Sequence, residues 1–460
     1  MRIRLDELAA AARGRLAGPA RAGALVTGAQ IDSRRIRPGE AFFALPGEFR
    51  DGHDFVGEAF EGGAGAAVVA REPDEPSGPL VVTSDVAASL ASVAAWVRDT
   101  LDPIVAGITG SNGKTTVKDL LSSIAGQRFG VVAAEKSFNN DLGVPLTLLR
   151  AGHETDLVIC EMGTRGPGHI ARLCECARPQ MGIVTNVGVT HYEMFGSVEG
   201  IAEAKSELIR ALPYGGTAVL NADDGRVLAM ASLTDANILT FGTGADAEVK
   251  ATGIKIDPRG RPSFDLGYGS RKKVPVHMPL AGVHQVPNAL AASAAAIALG
   301  MSLPECRSGL EAARPASWRM EVTEDSGIIF VNDAYNASPS SMSSALNTCS
   351  AMVPSGGRLL AVLGCMAELG DISVTEHRRV GSLAAAVCSV LITCGGEAGA
   401  LADGAEAAGM KDVRRAASAG GALGMLGPLK AGDVLLVKGS RAAGLEDFVD
   451  HARARPGISA

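Results

Sequence analysis

The sequence lacks a CxxC pair, a membrane-length apolar run and an excess of basic residues. Each absence removes a class of protein. Eight cysteines scattered over 460 residues read as separate thiols and not as a disulfide framework. Cys160, Cys388 and Cys394 fall inside apolar, strand-like segments, as expected of small buried hydrophobes. The apolar stretches Ala289 to Gly300 and Leu383 to Thr393 are too short or too interrupted to span a bilayer. Asp6, Glu7, Arg13 and Arg15 break the opening residues where a secretory signal would need an apolar core. With 43 basic against 50 acidic side chains the formal net charge is -7. A general nucleic-acid or anionic-membrane binder carries the opposite bias. The expectation is a cytoplasmic protein without nucleic-acid or membrane partners.

What is present fits a soluble multidomain enzyme. Hydrophobic residues make up 47% and charged residues 20%, and the chain is too long for one ordinary core. Residues 1–102 carry short β-type runs such as AGALV, AFFAL, AAVVA and LVV, then a helical stretch, Val86 to Leu101. In that stretch Leu90, Val93, Trp96 and Val97 share one face at helical spacing. Residues 103–315 alternate strand-like runs (IVAGIT, DLVICEM, MGIVTNV, TAVLN) with helical segments, a pattern that predicts a mainly parallel sheet. Residues 316–460 repeat it with IIFVNDAY, RLLAVLG, SVLITCG and DVLLVKG. The fold class expected is therefore α/β in three domains: a small N-terminal α/β domain, a central phosphate-loop domain and a C-terminal Rossmann-like domain. The segment Ala312 to Trp318, with its Pro and small residues, reads as a linker.

The strongest local signal begins at Ile108. An apolar strand runs into Thr109, Gly110, Ser111, Asn112, Gly113, Lys114, Thr115 and Thr116, and Val117, Leu120, Leu121 and Ile124 follow at helical spacing. Strand, glycine turn and helix start aim backbone N–H groups and the helix dipole at phosphate. Lys114 would reach the outer phosphates and the Thr115 hydroxyl would ligate Mg²⁺. The usual loop has glycine where this chain has Ile108. Glu161 ends a second strand, at the edge where such sheets bind ligands, and is a second candidate for the metal. Taken alone, His191 reads as structural or exposed, Lys205 as a solvated helix lysine, and Asn221 to Asp224 as a turn.

Together these strings, TGSNGKTT, the glutamate of EMGT, NVGVTH, AEAKSE and NADD, occur in an order that resembles the Mur ligases, ATP-dependent amide-forming enzymes of peptidoglycan synthesis. That family's loop reads TGxNGKT, which accounts for Ile108. The resemblance continues through Gly282 to Ala292, WRME around Arg319, Asn332 to Met342, Leu363 to Gly370, His377 and Val437 to Arg441. Lys136 to Leu149, NDAYNASP and MAELG are most similar to the branch that joins D-alanyl-D-alanine to a UDP-N-acetylmuramoyl-tripeptide. The family often has Asn where this chain has Gln285, and Asp where it has Cys365.

The resemblance implies roles. Ser33, Arg34, Gly47, Asp51, Gly52 and His53 would contact the uridine nucleotide portion of the substrate, Arg34 as the cation for its diphosphate. Thr115 and Glu161 would hold one Mg²⁺, and His191 with a carbamylated Lys205 a second. Arg319 would reach the γ-phosphate on domain closure. Asn288 and the turn Asn221, Asp223 and Asp224 would face the adenosine. Asp333, Tyr335, Asn336 and Ser338 would edge the ATP and acceptor sites. The enzyme would act as a monomer, through an acyl phosphate. Two alternatives stand beside this reading: another Mur-type amino-acid ligase, and a regulatory ATPase that forms no amide.

Overall fold

The computed structural model describes residues 1–455 apart from 20–22, 48, 136 and 271. Lys136, which opens one of the segments quoted above, lies outside the described residues, as does Ala22 of the run AGALV. Three larger sheets organise the chain. The first has five strands, in the order Arg15–Ala17, Leu80–Val82, Ala66–Val69, Ala41–Phe43 and Ala29–Gln30. Only its first pair is antiparallel. The helix Val86–Leu101 covers it, started by the Asp85 carboxylate, which accepts from Ala88 N–H at 3.0 Å. Its apolar face is the expected one: Leu90, Val93 and Val97 are buried and Trp96 is half-buried.

The second sheet has nine strands. From Val131–Ala133 it runs through Leu157–Glu161, Ile104–Thr109, Met181–Val184, Thr217–Asn221, Asn237–Gly242 and Val249–Ile256, all parallel. Pro262–Tyr268 and Val274–His277 then extend it antiparallel. This extension is not foreseen in the sequence. Its strands carry a Gly253 at φ +64° and a register shift between Thr252 and Lys255, and such bulged, half-exposed strands lose the apolar alternation. The third sheet has six strands, in the order Glu321–Asp325, Ile328–Asp333, Val434–Lys438, Leu359–Gly364, Val390–Cys394 and Val413–Ala416. All its pairs are parallel except the first, a hairpin turned at Ser326 and Gly327, both at positive φ.

One cysteine departs from expectation. Cys160 and Cys394 are buried strand residues, but Cys388 ends the helix Ser373–Val387 and is half-buried, because the strand starts only at Val390. The eight cysteines are all free thiols.

Helix Lys114–Ala125 packs between the central sheet and two further helices, Gln285–Ala298 and Leu303–Ala312. Val117, Leu120, Leu121 and Ile124 are fully buried there. The alanine-rich helix is buried almost all round, and small residues let it lie close to its neighbour. Gly309 does the same on the other helix: a Cβ added there would collide with Ile124 backbone. Alanine in a helix interior gains about 1 kcal/mol over glycine, whereas overpacking a core costs about 1–3 kcal/mol. Overpacking wins. Gly309→Ala should therefore lower the thermal melting midpoint; a raised midpoint would show that the two helices can separate without cost.

Candidate active site

The phosphate loop leaves the carboxyl end of Ile104–Thr109 and enters the helix at Lys114. Two glycines make the turn. Gly110 has φ +147° and faces Thr185, whose Oγ1 occupies the space a Cβ would need. Gly113 has φ +86° and lies against Asn288 Oδ1 in the same way. Any side chain at either would be strained and crowded. The loop is pinned to the neighbouring strand end: Ser111 N–H donates to Asn186 O at 2.9 Å, and Thr185 Oγ1 donates to Asn112 O at 2.6 Å. The loop's shape is thus fixed before any ligand arrives, with the Ser111 and Asn112 N–H groups both donating to Asn186.

Lys114 Nζ donates to Gly110 O at 2.7 Å. Burial lowers its pKa, Glu161 opposes that, and Arg319 adds to it. Thr115 Oγ1 donates to Glu161 Oε2, and Asn139 Nδ2 donates to Glu161 Oε1, both at 2.8 Å. Glu161 is only 1% exposed, so its oxygens are aimed by these two donors. Among the described residues there is no cluster of three or more His, Cys, Asp or Glu side chains that could cage a metal alone. One hydroxyl and one carboxylate beside a phosphate loop are nonetheless the donor set Mg²⁺ uses, with phosphates and water completing the octahedron. The Thr115–Glu161 pair fits that ion.

The other wall comes from the third sheet. A cleft of about 770 Å³ separates the loop from Arg319, Asp333, Tyr335, Asn336, Ser338 and Lys438. The Arg319 guanidinium sits 3.9 Å from the Tyr335 ring centroid and its Nη2 donates to Ser137 Oγ at 3.3 Å. Lys438, 2% exposed, donates to Asp333 Oδ2 at 2.6 Å and to Asn336 O at 2.9 Å. Asp333 and Lys438 end adjacent parallel strands, as Thr109 and Glu161 do opposite. The two sheets therefore present their carboxyl ends to one cleft. Ser338 Oγ donates to Asn112 Oδ1, and Asn112 Nδ2 to Ser340 Oγ, both at 3.0 Å. His191, in left-handed backbone at φ +55°, meets Glu368 across the same junction. The close contact with His191 lowers the Glu368 pKa, against the opposing effect of burial. Thr190 Oγ1 beside it is buried without a hydrogen-bond partner among the described residues.

Several expected residues stand elsewhere. Thr109 and Gly110 underlie the loop without lining the cleft, while Ser111 to Thr116 line it. Lys205 is no surface lysine: it is 2% exposed on helix Val198–Arg210 and does not line the cleft. Burial pulls its pKa well down, and the charge acting on it is another cation, Lys114. Asn221, Asp223 and Asp224 also lie off the cleft. Asn221 Nδ2 donates to Thr185 O at 2.8 Å; Asp223 accepts from Thr243 and Gly244, and Asp224 from Arg226, Val227 and Val187. Asn221 ends the strand Thr217–Asn221, Asp223 lies in the turn after it, and Asp224 caps the helix Gly225–Ala229.

None of the N-terminal candidates lines the cleft. Asp51 accepts from His53 N–H at 3.0 Å, from His53 Nδ1 at 2.6 Å and from Arg71 at 2.8 Å. These bonds, the backbone one first, hold the Asp51 carboxyl far below its usual range. Gly47 and Gly52 face backbone where no Cβ fits. Ser33 and Arg34 belong to a short helical turn, Ser33–Arg35, capped by Asp32, which also pairs with the largely exposed Arg34 at 2.8 Å. Residues that sequence reasoning gave no role are Lys438, Glu368, Ser340 and His284, all in the cleft wall. Lys438 and Glu368 stand in quoted motifs, and the signal in each was a charged residue beside an apolar strand or turn.

Three family models match the chain in order: Mur ligase family, catalytic domain over 25–100; Mur ligase middle domain over 108–296; and Mur ligase, glutamate ligase domain over 318–441. A UDP-N-acetylmuramoyl-tripeptide–D-alanyl-D-alanine ligase of Mycobacterium bovis is 40% identical, with 92% of each chain covered. The chain belongs to the Mur ligase family. A crystal structure of MurF from Acinetobacter baumannii, 30% identical, superposes with a TM-score of 0.89 over 99% of both chains. A MurF ligase from Thermotoga maritima in complex with ADP, 26% identical, gives 0.79 over 93% of this chain and 97% of that one. The three-domain Mur ligase architecture, α/β with parallel sheets, is thereby shown for this chain.

Lys114 is the cation nearest the expected phosphates and is not part of a packed core. Lys114→Ala should abolish ATP-dependent turnover while the circular dichroism spectrum and melting midpoint stay close to the parent. Parental turnover in the folded variant would remove the loop from the chemistry.

Proposed function

We propose that the chain joins D-alanyl-D-alanine to UDP-N-acetylmuramoyl-tripeptide at the expense of ATP, through an acyl phosphate, in cytoplasmic peptidoglycan precursor synthesis. One observation carries this reading: a phosphate loop faces Arg319 and Lys438 across a cleft, in a chain similar along 92% of its length to a ligase of that name. Residues 1–102 take the UDP substrate, 103–315 the ATP and 316–460 the dipeptide. Both walls of the cleft come from one chain, so a monomer suffices. Among the described residues no helix is long and apolar enough to cross a membrane.

The chemistry follows from charge. The tripeptide carboxylate attacks the γ-phosphorus in line; a C–O–P linkage forms and ADP leaves. The dipeptide amine then attacks the acyl carbonyl, and inorganic phosphate carries away the C–O electron pair. In the first step two anions approach, so fixed positive charge in a water-poor cleft is the main requirement. Lys114 serves the β/γ-phosphates, and Arg319 reaches the γ-phosphate from the Tyr335 face. Thr115 and Glu161 would hold Mg²⁺, which when bound would neutralise phosphate charge. His191, in the cleft wall, would serve a second Mg²⁺; Lys205, buried off the cleft, would support it only as a carbamate, since a protonated amine cannot ligate. Asn288 faces the adenosine. Arg34, exposed and held only by Asp32, is the cation for the UDP diphosphate, while Asp51 and His53 shape the loop beside it.

Mass spectrometry of a reaction with ATP, Mg²⁺, UDP-muramoyl-tripeptide and D-alanyl-D-alanine tests the reading. The expected result is the amide product with one ADP per bond. ADP without amide would make the chain a regulatory ATPase, and efficient use of a single amino acid would make it a different Mur-type ligase.

The carbamate has its own test. Lys205→Ala should lose nearly all activity, and a short carboxylic acid should restore part of it by standing in for the lost oxygens, while a short amine should not. The opposite pattern, with Lys205→Arg partly active and added acid without effect, would make Lys205 an ordinary cation.

A further inference from the structure

The loop is tied to the third domain by a second route, which passes through Gln285, where the family often has Asn. Asn288, on helix Gln285–Ala298, has its Oδ1 against Gly113 of the loop. Its Nδ2 donates to Gln285 Oε1 at 3.1 Å. A carbonyl orients the Gln285 amide: its Nε2 donates to Ala281 O at 3.4 Å, so Nε2 is also the group 3.2 Å from His284 Nε2, and it donates there. An imidazole that accepts at Nε2 carries its proton on Nδ1. Nδ1 in turn lies 2.8 Å from Ser344 Oγ and donates to it. Every donor points the same way, from the loop towards Ser344.

Ser344 belongs to helix Pro339–Met352, whose capping residue Ser338 is the one that bonds Asn112. The circuit is closed. It starts where Asn288 packs against Gly113, a contact and not a hydrogen bond, crosses to the third-domain helix, and returns to the loop at Asn112 by the Ser338 bond. The bonds are protected: Gln285 is 5% and Asn288 7% exposed, and both line the cleft. Gly282, at φ +109°, leaves room for the His284 ring, which a Cβ there would strike.

We propose that Gln285 is a positioning residue for ATP: its amide couples the seating of helix Pro339–Met352 to the shape of the phosphate loop. The proposal rests on the ligase reading only for its purpose, since ATP binding can be measured without the other substrates. Protonating His284 would set an N–H against the N–H of Gln285, so the link requires the neutral ring. Burial pulls His284 down to about 4, with Asp333 opposing and Lys438 assisting. The link is therefore intact throughout the neutral range.

The test compares full-length variants by calorimetry with ATP and Mg²⁺ and by nitrogen NMR of His284. Gln285→Leu cannot donate or accept and should weaken ATP binding about tenfold, leaving the affinity for the UDP substrate unchanged. Gln285→Glu still accepts from Asn288 and from a protonated His284 Nε2 but sets an oxygen against Ala281 O, so ATP binding should weaken less than in Gln285→Leu. His284 should then bind its second proton at a distinctly higher pH. Ser344→Ala cuts the far end and should weaken ATP binding by a smaller factor, which keeps the test open if Gln285→Leu does not fold. Parental ATP affinity in Gln285→Leu or in Ser344→Ala, or a His284 titration unmoved by Gln285→Glu, overturns the proposal. Failure of the parent to form amide would instead strike the ligase reading and leave these binding results standing.

Discussion

Two anions have to meet at one phosphorus atom, and the positive charge that lets them do so has to be held away from water. The residues around the cleft are arranged around that constraint. Lys114 has a pKa lowered chiefly by burial, with Arg319 acting in the same direction, so a phosphate taken up between the two cations, as proposed, would relieve that repulsion. Lys438 is fully paired with Asp333 and the Asn336 carbonyl, which leaves it a fixed support for that wall. Glu161 is held by two donors, and a carboxylate so fixed loses little further freedom on taking a metal.

The constraint also explains why the cleft lies between domains. Each sheet offers only the carboxyl ends of its own strands, and neither side alone can surround an acyl phosphate. The central sheet brings the loop and Glu161; the third brings Arg319, Asp333 and Lys438. Asn112 with Ser338 and Ser340, and His191 with Glu368, join the two walls by small polar contacts. Contacts of this size, about 0.5–1.5 kcal/mol each, hold a closed arrangement and still let products leave.

Much of the central architecture was legible because buried parallel strands are continuous apolar runs, and the runs quoted from residues 103–315 and 316–460 each hold a strand; AGALV holds only the short antiparallel Leu25–Val26. The antiparallel extension Val249–His277 was not, since its exposed face and its bulge dilute the pattern. Among site residues, local chemistry spoke clearly at the loop, where Lys114 and Thr115 follow a glycine turn. It spoke weakly for Lys205, whose burial depends on a helix packed against the sheet and not on its neighbours in sequence. Asp223 and Asp224 were legible as turn residues, and their carboxylates are taken by backbone N–H groups. His284 and Lys438 acquire meaning only from partners far along the chain, Ser344 for the one and Asp333 for the other.

The account stands on the order of bond making: carboxylate to phosphorus first, amine to carbon second. Heavy-oxygen labelling of the tripeptide carboxylate reads that order directly. Transfer through an acyl phosphate predicts one labelled oxygen in each inorganic phosphate released and one retained in the amide. Unlabelled phosphate accompanying full yield of amide would contradict the account, because the carboxylate oxygen would then never have been bonded to phosphorus.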